Sequence, residues 1–187
     1  MRYGIIGNCK TAALVHETGS IEWCCLPKFD SPSVFAALLD SGGGFFKVEP
    51  VNVGTVRQFY LPQTNILQTE FDDGQNAFAV LDFMPRYREG QGYAKPLEII
   101  RMLKPLRGKP LLRILFKPKL NYARSETQIE LWPNMIVATQ GLEDIYLYSN
   151  FFLKSIMEET SILLENDGFL ILTYHEKFSE PTLVYAR

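Results

Sequence analysis

The sequence has few cysteines and histidines, which argues against a disulfide framework and a metal centre. Its three cysteines, Cys9, Cys24 and Cys25, are odd in number and two are adjacent, so we expect reduced thiols and a cytoplasmic protein. The two histidines, His16 and His175, lie far apart, and no Cys or His pair has the spacing of zinc ligands. We therefore predict no metal and no cofactor.

An excess of one charge and a long apolar run are also missing. Nineteen basic residues stand against 21 acidic ones, giving a formal net charge of −2. No basic excess is present to neutralise phosphates, which argues against nucleic-acid binding. The first residues, MRYGIIGNCKTAALV, are a poor signal peptide because polar residues interrupt them, and no apolar run approaches bilayer-spanning length. We expect a protein that binds neither nucleic acid nor membrane.

The residues that are plentiful suit β-sheets. Hydrophobic residues make up 47% of the 187 positions and aromatic residues 13%, and aromatic rings pack well on a pleated surface. Short β-like runs follow one another with turn signals about every ten residues and no alternating helices, which predicts an antiparallel β-sandwich. We expect residues 1–187 to form a single all-β domain.

The stretch from Gly19 to Leu39 combines a strand, a proline-bounded loop and a predicted helix. Residues 11–16 and 20–26 predict a hairpin whose connection ends at Gly19. Alternation in the second run places Ile21, Trp23 and Cys25 on one face, and Glu22, Cys24 and Leu26 on the other. After the loop, Ser31 followed by a proline predicts a helix start, and apolar residues at helical spacing predict one short helix near 32–40.

Two further hairpins are predicted from turn dipeptides. Asp73-Gly74 lies between β-like runs at 65–71 and 77–84, and Asp167-Gly168 lies between runs at 162–165 and 169–174. Within the run 77–84, Asp82 is surrounded by apolar residues. Because burying a carboxylate is costly unless it is paired, we expect Asp82 to bond a turn or an inter-domain partner.

The loop Pro27-Lys28-Phe29-Asp30 is the best candidate for a site. It sets a cation, a ring and a carboxylate side by side, and such a trio can bind a sugar by stacking and hydrogen bonding. The alternative is structural: Asp30 caps the helix, Lys28 is solvated and Phe29 fills the core. The same two interpretations apply to Trp23 and Trp132: the indole ring stacks on a sugar, or it belongs to the core.

Complete catalytic patterns are missing. The glycines at 42–44 lack the Lys-Ser/Thr of a phosphate loop, and no serine stands between glycines as in a nucleophile elbow. Glycosidase chemistry needs two carboxylates at a defined separation, and nothing in the sequence picks out such a pair.

The first forty residues resemble a known family. Tyr3 to Leu39, YGIIGNCKTAALVHETGSIEWCCLPKFDSPSVFAALL, resembles the start of glycoside hydrolase family fifteen proteins, which are glucoamylase, glucodextranase and trehalase-like enzymes. The family pattern there is close to YxxIGDxRTAALV followed by GSIDWxCxPRFDSPSxFA. Further similar stretches are YLPQTNIL at 60–67, LDFMP at 81–85, Ile100-Arg101 and FKPKLNY at 116–122. The chain departs from the pattern at four positions: Asn8 and Glu22 replace Asp, and Lys10 and Lys28 replace Arg.

The resemblance implies a fold and a role. In that family this segment is an N-terminal β-sandwich of the galactose-mutarotase-like kind, and two catalytic glutamates of an inverting mechanism belong to a following α/α barrel. The resemblance therefore implies a non-catalytic accessory domain that packs on a barrel absent from this chain. It places the Pro27–Asp30 loop and Trp23 at the active-site rim or inter-domain contact, and it carries over no catalytic residue. The parent enzyme would hydrolyse α-linked glucosides.

Two alternatives remain open. The chain can be a free-standing carbohydrate-binding module for α-glucans, or a mutarotase-like enzyme that acts on a small sugar. The second needs a histidine–carboxylate arrangement, which two scattered histidines support poorly. An accessory domain without its barrel would expose an apolar patch, through which two copies can form a homodimer.

Overall fold

A computed structural model describes residues 2–52 and 54–178 of the chain. Antiparallel strands dominate, and their bounds are β1 (Tyr3–Gly7), β2 (Ala12–His16), β3 (Ser20–Cys25), β4 (Ser33–Phe35), β5 (Phe45–Pro50), β6 (Thr55–Tyr60), β7 (Leu67–Asp72), β8 (Ala77–Phe83), β9 (Tyr87–Glu89), β10 (Gly92–Ala94), β11 (Glu98–Arg107), β12 (Leu111–Lys117), β13 (Gln128–Leu131), β14 (Ile136–Gln140), β15 (Glu143–Ser149), β16 (Ile162–Leu163) and β17 (Gly168–Tyr174). A 3₁₀ turn spans Asn121–Ala123 and the short helix α1 spans Leu153–Met157.

The strands form two large sheets that pack face to face. The first sheet has the order β1-β2-β3-β5-β12-β16, with β4 paired to β3, and the second has the order β13-β14-β15-β17-β11-β8-β7-β6. Strands β9 and β10 form a separate two-stranded ribbon. These pairings are antiparallel, so the predicted all-β antiparallel sandwich is confirmed.

The core lies between the two sheets and is rich in aromatic rings. In β12 every second residue is buried, as expected for a strand with one face on the core. Phe46 lies at the centre of the first sheet's inner face, with its ring centroid 5.3 Å from that of Phe116 and 6.2 Å from that of Phe35. On the second sheet Phe71 stacks on Phe78 at 4.9 Å. The aromatic residues thus pack against one another on the inner face of each sheet.

A buried ion pair crosses this core. Asp82 on β8 and Arg101 on β11 are direct neighbours in the sheet, and both side chains have zero solvent exposure. The Arg101 Nε donates to Asp82 Oδ1 at 2.7 Å, and the guanidinium also donates to the carbonyls of Phe46 at 2.7 Å and Gly19 at 2.8 Å in the other sheet. Asp82 is therefore paired, as its burial requires, but the prediction of a turn or another domain as its partner is wrong, because the partner is Arg101 on the neighbouring strand.

The predicted helix near 32–40 is wrong. Residues 33–35 form β4, whose Phe35 pairs with Cys24 of β3, and the next residues turn back so that Ala36 donates to the Gly43 carbonyl. Leu39 is exposed and does not belong to a buried helical face. An apolar run this short is compatible with the repeat of a helix and with that of a strand. Here the free edge of β3 supplies the hydrogen-bond partners that make it a strand. The helix that does form, α1, lies at 153–157.

The predicted alternation along β3 is confirmed for Trp23 with Cys25 and for Cys24 with Leu26, but it is wrong for Ile21, because the strand contains a β-bulge. Leu14 pairs with Trp23 whereas Val15 pairs with Ile21, so one extra residue lies between these two pairs. The bulge puts Ile21 and Cys24 on the same core-facing side, and both are fully buried. Trp23 consequently lies on the opposite, outer side of the first sheet.

The turn at Gly19 and the turn at Asp73-Gly74 are confirmed, whereas the last predicted hairpin is wrong. Strands β2 and β3 pair across Gly19, which has φ +78°, and β7 pairs with β8. In contrast, β16 pairs with β12 in the first sheet while β17 lies between β11 and β15 in the second. Asp167-Gly168 therefore connects the two sheets of the sandwich.

Candidate functional site

The loop after β3 forms a tight turn on the surface of the first sheet. The Ser31 N–H donates to the Lys28 carbonyl at 3.2 Å, and the Ser31 Oγ accepts the Lys28 N–H at 3.1 Å. The Leu26–Pro27 peptide is cis. Ser31 therefore closes a turn here, where a helix cap was predicted. Lys28 and Asp30 are exposed on it, and Asp30 caps no helix.

The turn brings Phe29 next to Trp23 on the outer side of the first sheet. Both side chains line a hollow of about 200 Å³, together with Ile5 of β1 and Leu14 of β2. Phe29 is 63% exposed and Ile5 is 56% exposed, so this Phe does not fill the core. The structural alternative for Phe29 is therefore wrong, and the hollow is an apolar patch open to solvent.

The chemistry of the hollow is almost entirely apolar. The remaining lining residues are Thr11, Ala12 and Cys25. Thr11 is fully buried, and its hydroxyl donates to the Cys25 carbonyl at 2.5 Å, so this group is already engaged. Burial raises the pKa of the Cys25 thiol, which keeps it neutral. Pro27, Lys28 and Asp30 do not line the hollow, so the predicted trio of ring, cation and carboxylate does not converge on it.

The edge of β1 is held in place by a tyrosine from the opposite sheet. The Tyr60 hydroxyl donates to the Ile5 carbonyl and accepts the Ile5 N–H, both at 2.8 Å. One side chain thus satisfies both main-chain groups of an edge residue that would otherwise be open to another strand. This contact fixes the backbone that carries Ile5 into the hollow.

The departures from the family pattern have clear structural settings at two positions. Asn8 is fully buried, and its amide donates to the Pro96 carbonyl at 2.8 Å while its Oδ1 accepts the Lys10 N–H. An ionised Asp could not make the first of these bonds because it lacks a donor. Glu22 accepts the Tyr3 hydroxyl at 2.6 Å, and this hydrogen bond raises the pKa of Tyr3 to about 12.

A second concavity lies on the other sheet, around Trp132. It measures about 690 Å³ and lies between the β13–β14 turn and the start of α1. Trp132 is 40% exposed, so it is not a core residue. Phe152 on the opposite wall is 73% exposed. We call this concavity the Trp132 groove, defined by residues 131–134, residues 149–154 and Phe169.

One histidine does meet carboxylates, at the start of β15. The His175 Nδ1 lies 2.5 Å from Asp144 Oδ1, and its Nε2 lies 3.6 Å from Glu143 Oε2. The two carboxylates also accept hydrogen bonds from the hydroxyls of Tyr146 and Tyr174. Burial is the largest cause that raises the pKa of both tyrosines, with these bonds second. The cluster lines neither the hollow around Phe29 nor the Trp132 groove.

Sequence reasoning missed several of these residues. Leu14 was detectable, because in β2 it faces away from the apolar neighbours Ala13 and Val15. Arg101 was detectable as a charge in the middle of the apolar run EIIRML. The exposure of Phe152 could not be predicted from its neighbours in the sequence, because phenylalanine is usually a buried residue.

Residues 2–52 and 54–178 contain neither a cluster of metal ligands nor a membrane-spanning helix. No group of three or more His, Cys, Asp or Glu side chains there is arranged to hold a metal ion. Among the same residues, no helix has the length and apolar character needed to cross a membrane.

Comparison with known proteins identifies the family. Residues 1–161 match the family described as "Trehalase-like, N-terminal". The chain is 36% identical to a trehalase of Thermoplasma volcanium over 156 residues, 81% of this chain and 25% of that protein. It is 32% identical to trehalase 2 of Sulfolobus acidocaldarius over 194 aligned positions, 100% of this chain and 31% of that protein. No solved structure matches. The chain thus spans a quarter to a third of the length of these relatives, and it belongs to the trehalase-like N-terminal family.

Proposed function

We propose that the chain is a non-catalytic accessory domain of a trehalase-like hydrolase and packs on the catalytic region of that enzyme. The observation that carries the proposal is the family match over residues 1–161, combined with a chain that spans only 25% and 31% of two trehalases. We further propose that residues 1–187 form one domain and that the catalytic region is an α/α barrel with two glutamates in an inverting mechanism, as the resemblance to glycoside hydrolase family fifteen implies.

The hollow around Phe29 is the proposed contact with the catalytic region. Its lining supports a protein contact better than a sugar contact, because Ile5, Leu14 and Phe29 offer no hydrogen-bond partner to hydroxyl groups and Trp23 offers a single donor, its indole N–H. Burying an exposed apolar patch under another protein surface is favourable by about 25 cal/mol per Å² of apolar area. The nearby charges on Lys28 and Asp30 are exposed, so in this arrangement they form a polar rim.

The catalytic carboxylates are proposed to lie outside this chain. In the described residues that most resemble an acid–base group, His175 lies beside Glu143 and Asp144, and the two carboxylates accept hydrogen bonds from two tyrosines. This cluster is the observation that favours the mutarotase-like alternative, since that chemistry uses a histidine beside carboxylates. The chain should nevertheless be inactive on trehalose and maltose. The three free thiols support a reducing, cytoplasmic setting as a further proposal.

A complementation experiment tests the accessory role. Thermoplasma volcanium trehalase would be expressed without the segment that matches this chain, and residues 1–187 would be added in trans. We expect a complex on size-exclusion chromatography and a longer activity half-life on heating. Phe29→Asp should abolish both, because it sets a charge in an apolar contact.

The matched control is Phe152→Asp. This position is also a highly exposed phenylalanine, but it lies on the other sheet, in the Trp132 groove. It should leave complex formation unchanged. The absence of any complex with the unchanged chain, or an equal loss in both variants, would contradict the proposed contact. Homodimerisation through the same hollow would appear as a dimer of the chain alone that Phe29→Asp dissociates.

A further inference from the structure

The Trp132 groove has the size of a small-molecule site. Its volume is about 690 Å³, against about 200 Å³ for the hollow around Phe29. Ligand sites in proteins measure about 300–1,000 Å³ and combine apolar walls with a few polar groups. The groove has this combination, because Asn134 and Lys154 lie among its aromatic and aliphatic residues.

One wall of the groove presents an indole that is held in a fixed orientation. The main-chain N–H of Trp132 donates to the Met135 carbonyl at 2.9 Å, and the indole Nε1 of Trp132 donates to Glu130 Oε2 at 3.2 Å. The ammonium of Lys177 lies 4.9 Å from the ring centroid. A ring that is already oriented loses little conformational freedom when a ligand stacks on it.

The opposite wall presents a phenyl ring to solvent. Phe152 precedes α1 and is 73% exposed, whereas the neighbouring Phe151 is half-buried and packs over Gly168. The floor is Phe169, which is nearly buried. Two exposed aromatic side chains, Trp132 and Phe152, thus line one groove together with the nearly buried Phe169.

The polar groups of the groove favour a neutral ligand with hydroxyl groups. Within the described residues, the Asn134 amide makes no hydrogen bond, so both its donor and its acceptor are open to a ligand. The charge of Lys154 is balanced by Glu158, with Nζ 3.5 Å from Oε1, and Glu130 lies beside Trp132. With the Lys177 ammonium near Trp132 included, two basic and two acidic side chains lie at the groove, so an anion finds no net positive charge here.

We propose that the Trp132 groove binds a neutral oligosaccharide. The C–H face of one pyranose ring packs on Trp132 and a second ring packs on Phe152, while Asn134 and Lys154 bond the hydroxyl groups. The site belongs to this chain alone and does not depend on contact with a catalytic region. It is also separate from the hollow around Phe29, which lies on the other sheet.

Titration of the whole 187-residue chain tests this proposal. Trehalose and maltotriose would be added up to about 100 mM and followed by calorimetry and amide chemical shifts, with sorbitol as a hydroxylated probe that has no ring face. We expect saturable binding of at least one of the two sugars, in the millimolar range, and none of sorbitol. Shifts should be largest at residues 131–134 and 149–154.

The variants Phe152→Ala and Trp132→Ala should each weaken binding by about fivefold, the effect of losing one ring contact. Phe29→Ala is the matched control and should bind as the unchanged chain does. Asn134→Ala, an exposed polar change, provides a variant that leaves both rings in place and should also weaken binding. The proposal is overturned if neither sugar binds, if sorbitol binds equally well, or if Phe29→Ala loses binding while Phe152→Ala retains it.

Discussion

The buried pair of Arg101 and Asp82 should dominate the stability of the sandwich. Replacing Arg101 with Met keeps much of the side-chain volume but removes the donors to Asp82 and to the carbonyls of Phe46 and Gly19. Because both side chains have zero exposure, the Asp82 carboxylate is left buried without its partner. Breaking a buried pair in this way costs about 3–5 kcal/mol of the free energy of unfolding. For a domain of this size, that lowers the melting temperature by about 10 °C.

Urea unfolding followed by circular dichroism measures this cost. The control is Arg107→Met, which removes a pair to Asp72 with the same 2.6–2.7 Å contact but with side chains 52% and 40% exposed. That exposed pair contributes about 0.2–1 kcal/mol. The double variant Asp82→Leu with Arg101→Met should recover much of the loss because no buried charge remains. If Arg101→Met lowers the free energy of unfolding no more than Arg107→Met does, Arg101 does not link Asp82 to the other sheet as described.

Two further predictions concern the turns. Changing Asn8→Asp restores the family pattern but should lower the free energy of unfolding at neutral pH by about 1–3 kcal/mol, because the carboxylate would face the Pro96 carbonyl without a donor. In urea unfolding this deficit should shrink as the pH falls toward the ordinary Asp pKa of about 4, because the protonated acid can donate to the carbonyl. A deficit independent of pH would contradict this reasoning. Gly19→Ala should lower the free energy of unfolding more than Gly74→Ala does in the same assay. Both glycines have positive φ, but of the two only Gly19 would place the new Cβ against backbone, 2.5 Å from the Val48 carbonyl oxygen. Equal losses of stability in the two variants would show that the space at Gly19 is irrelevant.

The sandwich itself could be predicted because its signals are local. The alternation in β12, the glycine at the β2–β3 turn and the Asp73-Gly74 turn are each contained in a few residues. The features that were missed depend on partners far along the chain. Residues 33–35 become a strand because β3 offers an edge, and Gly168 begins β17 because β11 and β15 flank it.

The candidate site was predictable only in part for the same reason. Phe29 and Trp23 were both chosen from the sequence, and the structure brings them together. Trp23 shares the outer face with Cys25 as alternation predicts, whereas the bulge in β3 puts Ile21 on the other face, which strict alternation could not predict. Lys28 and Asp30 flank Phe29 in the sequence and were therefore grouped with it, but neither of them lines the hollow.

If the chain supports the hydrolysis of an α-linked glucoside without carrying the reacting groups, as we propose, it should release no glucose by itself. The most direct test is to incubate the purified 187-residue chain with trehalose and with maltose and to measure released glucose over hours. We predict no release above a buffer blank, at any pH at which the chain is folded. Sustained release that scales with the concentration of the chain, and that disappears when Glu143 or Asp144 is replaced by its amide, would contradict the account.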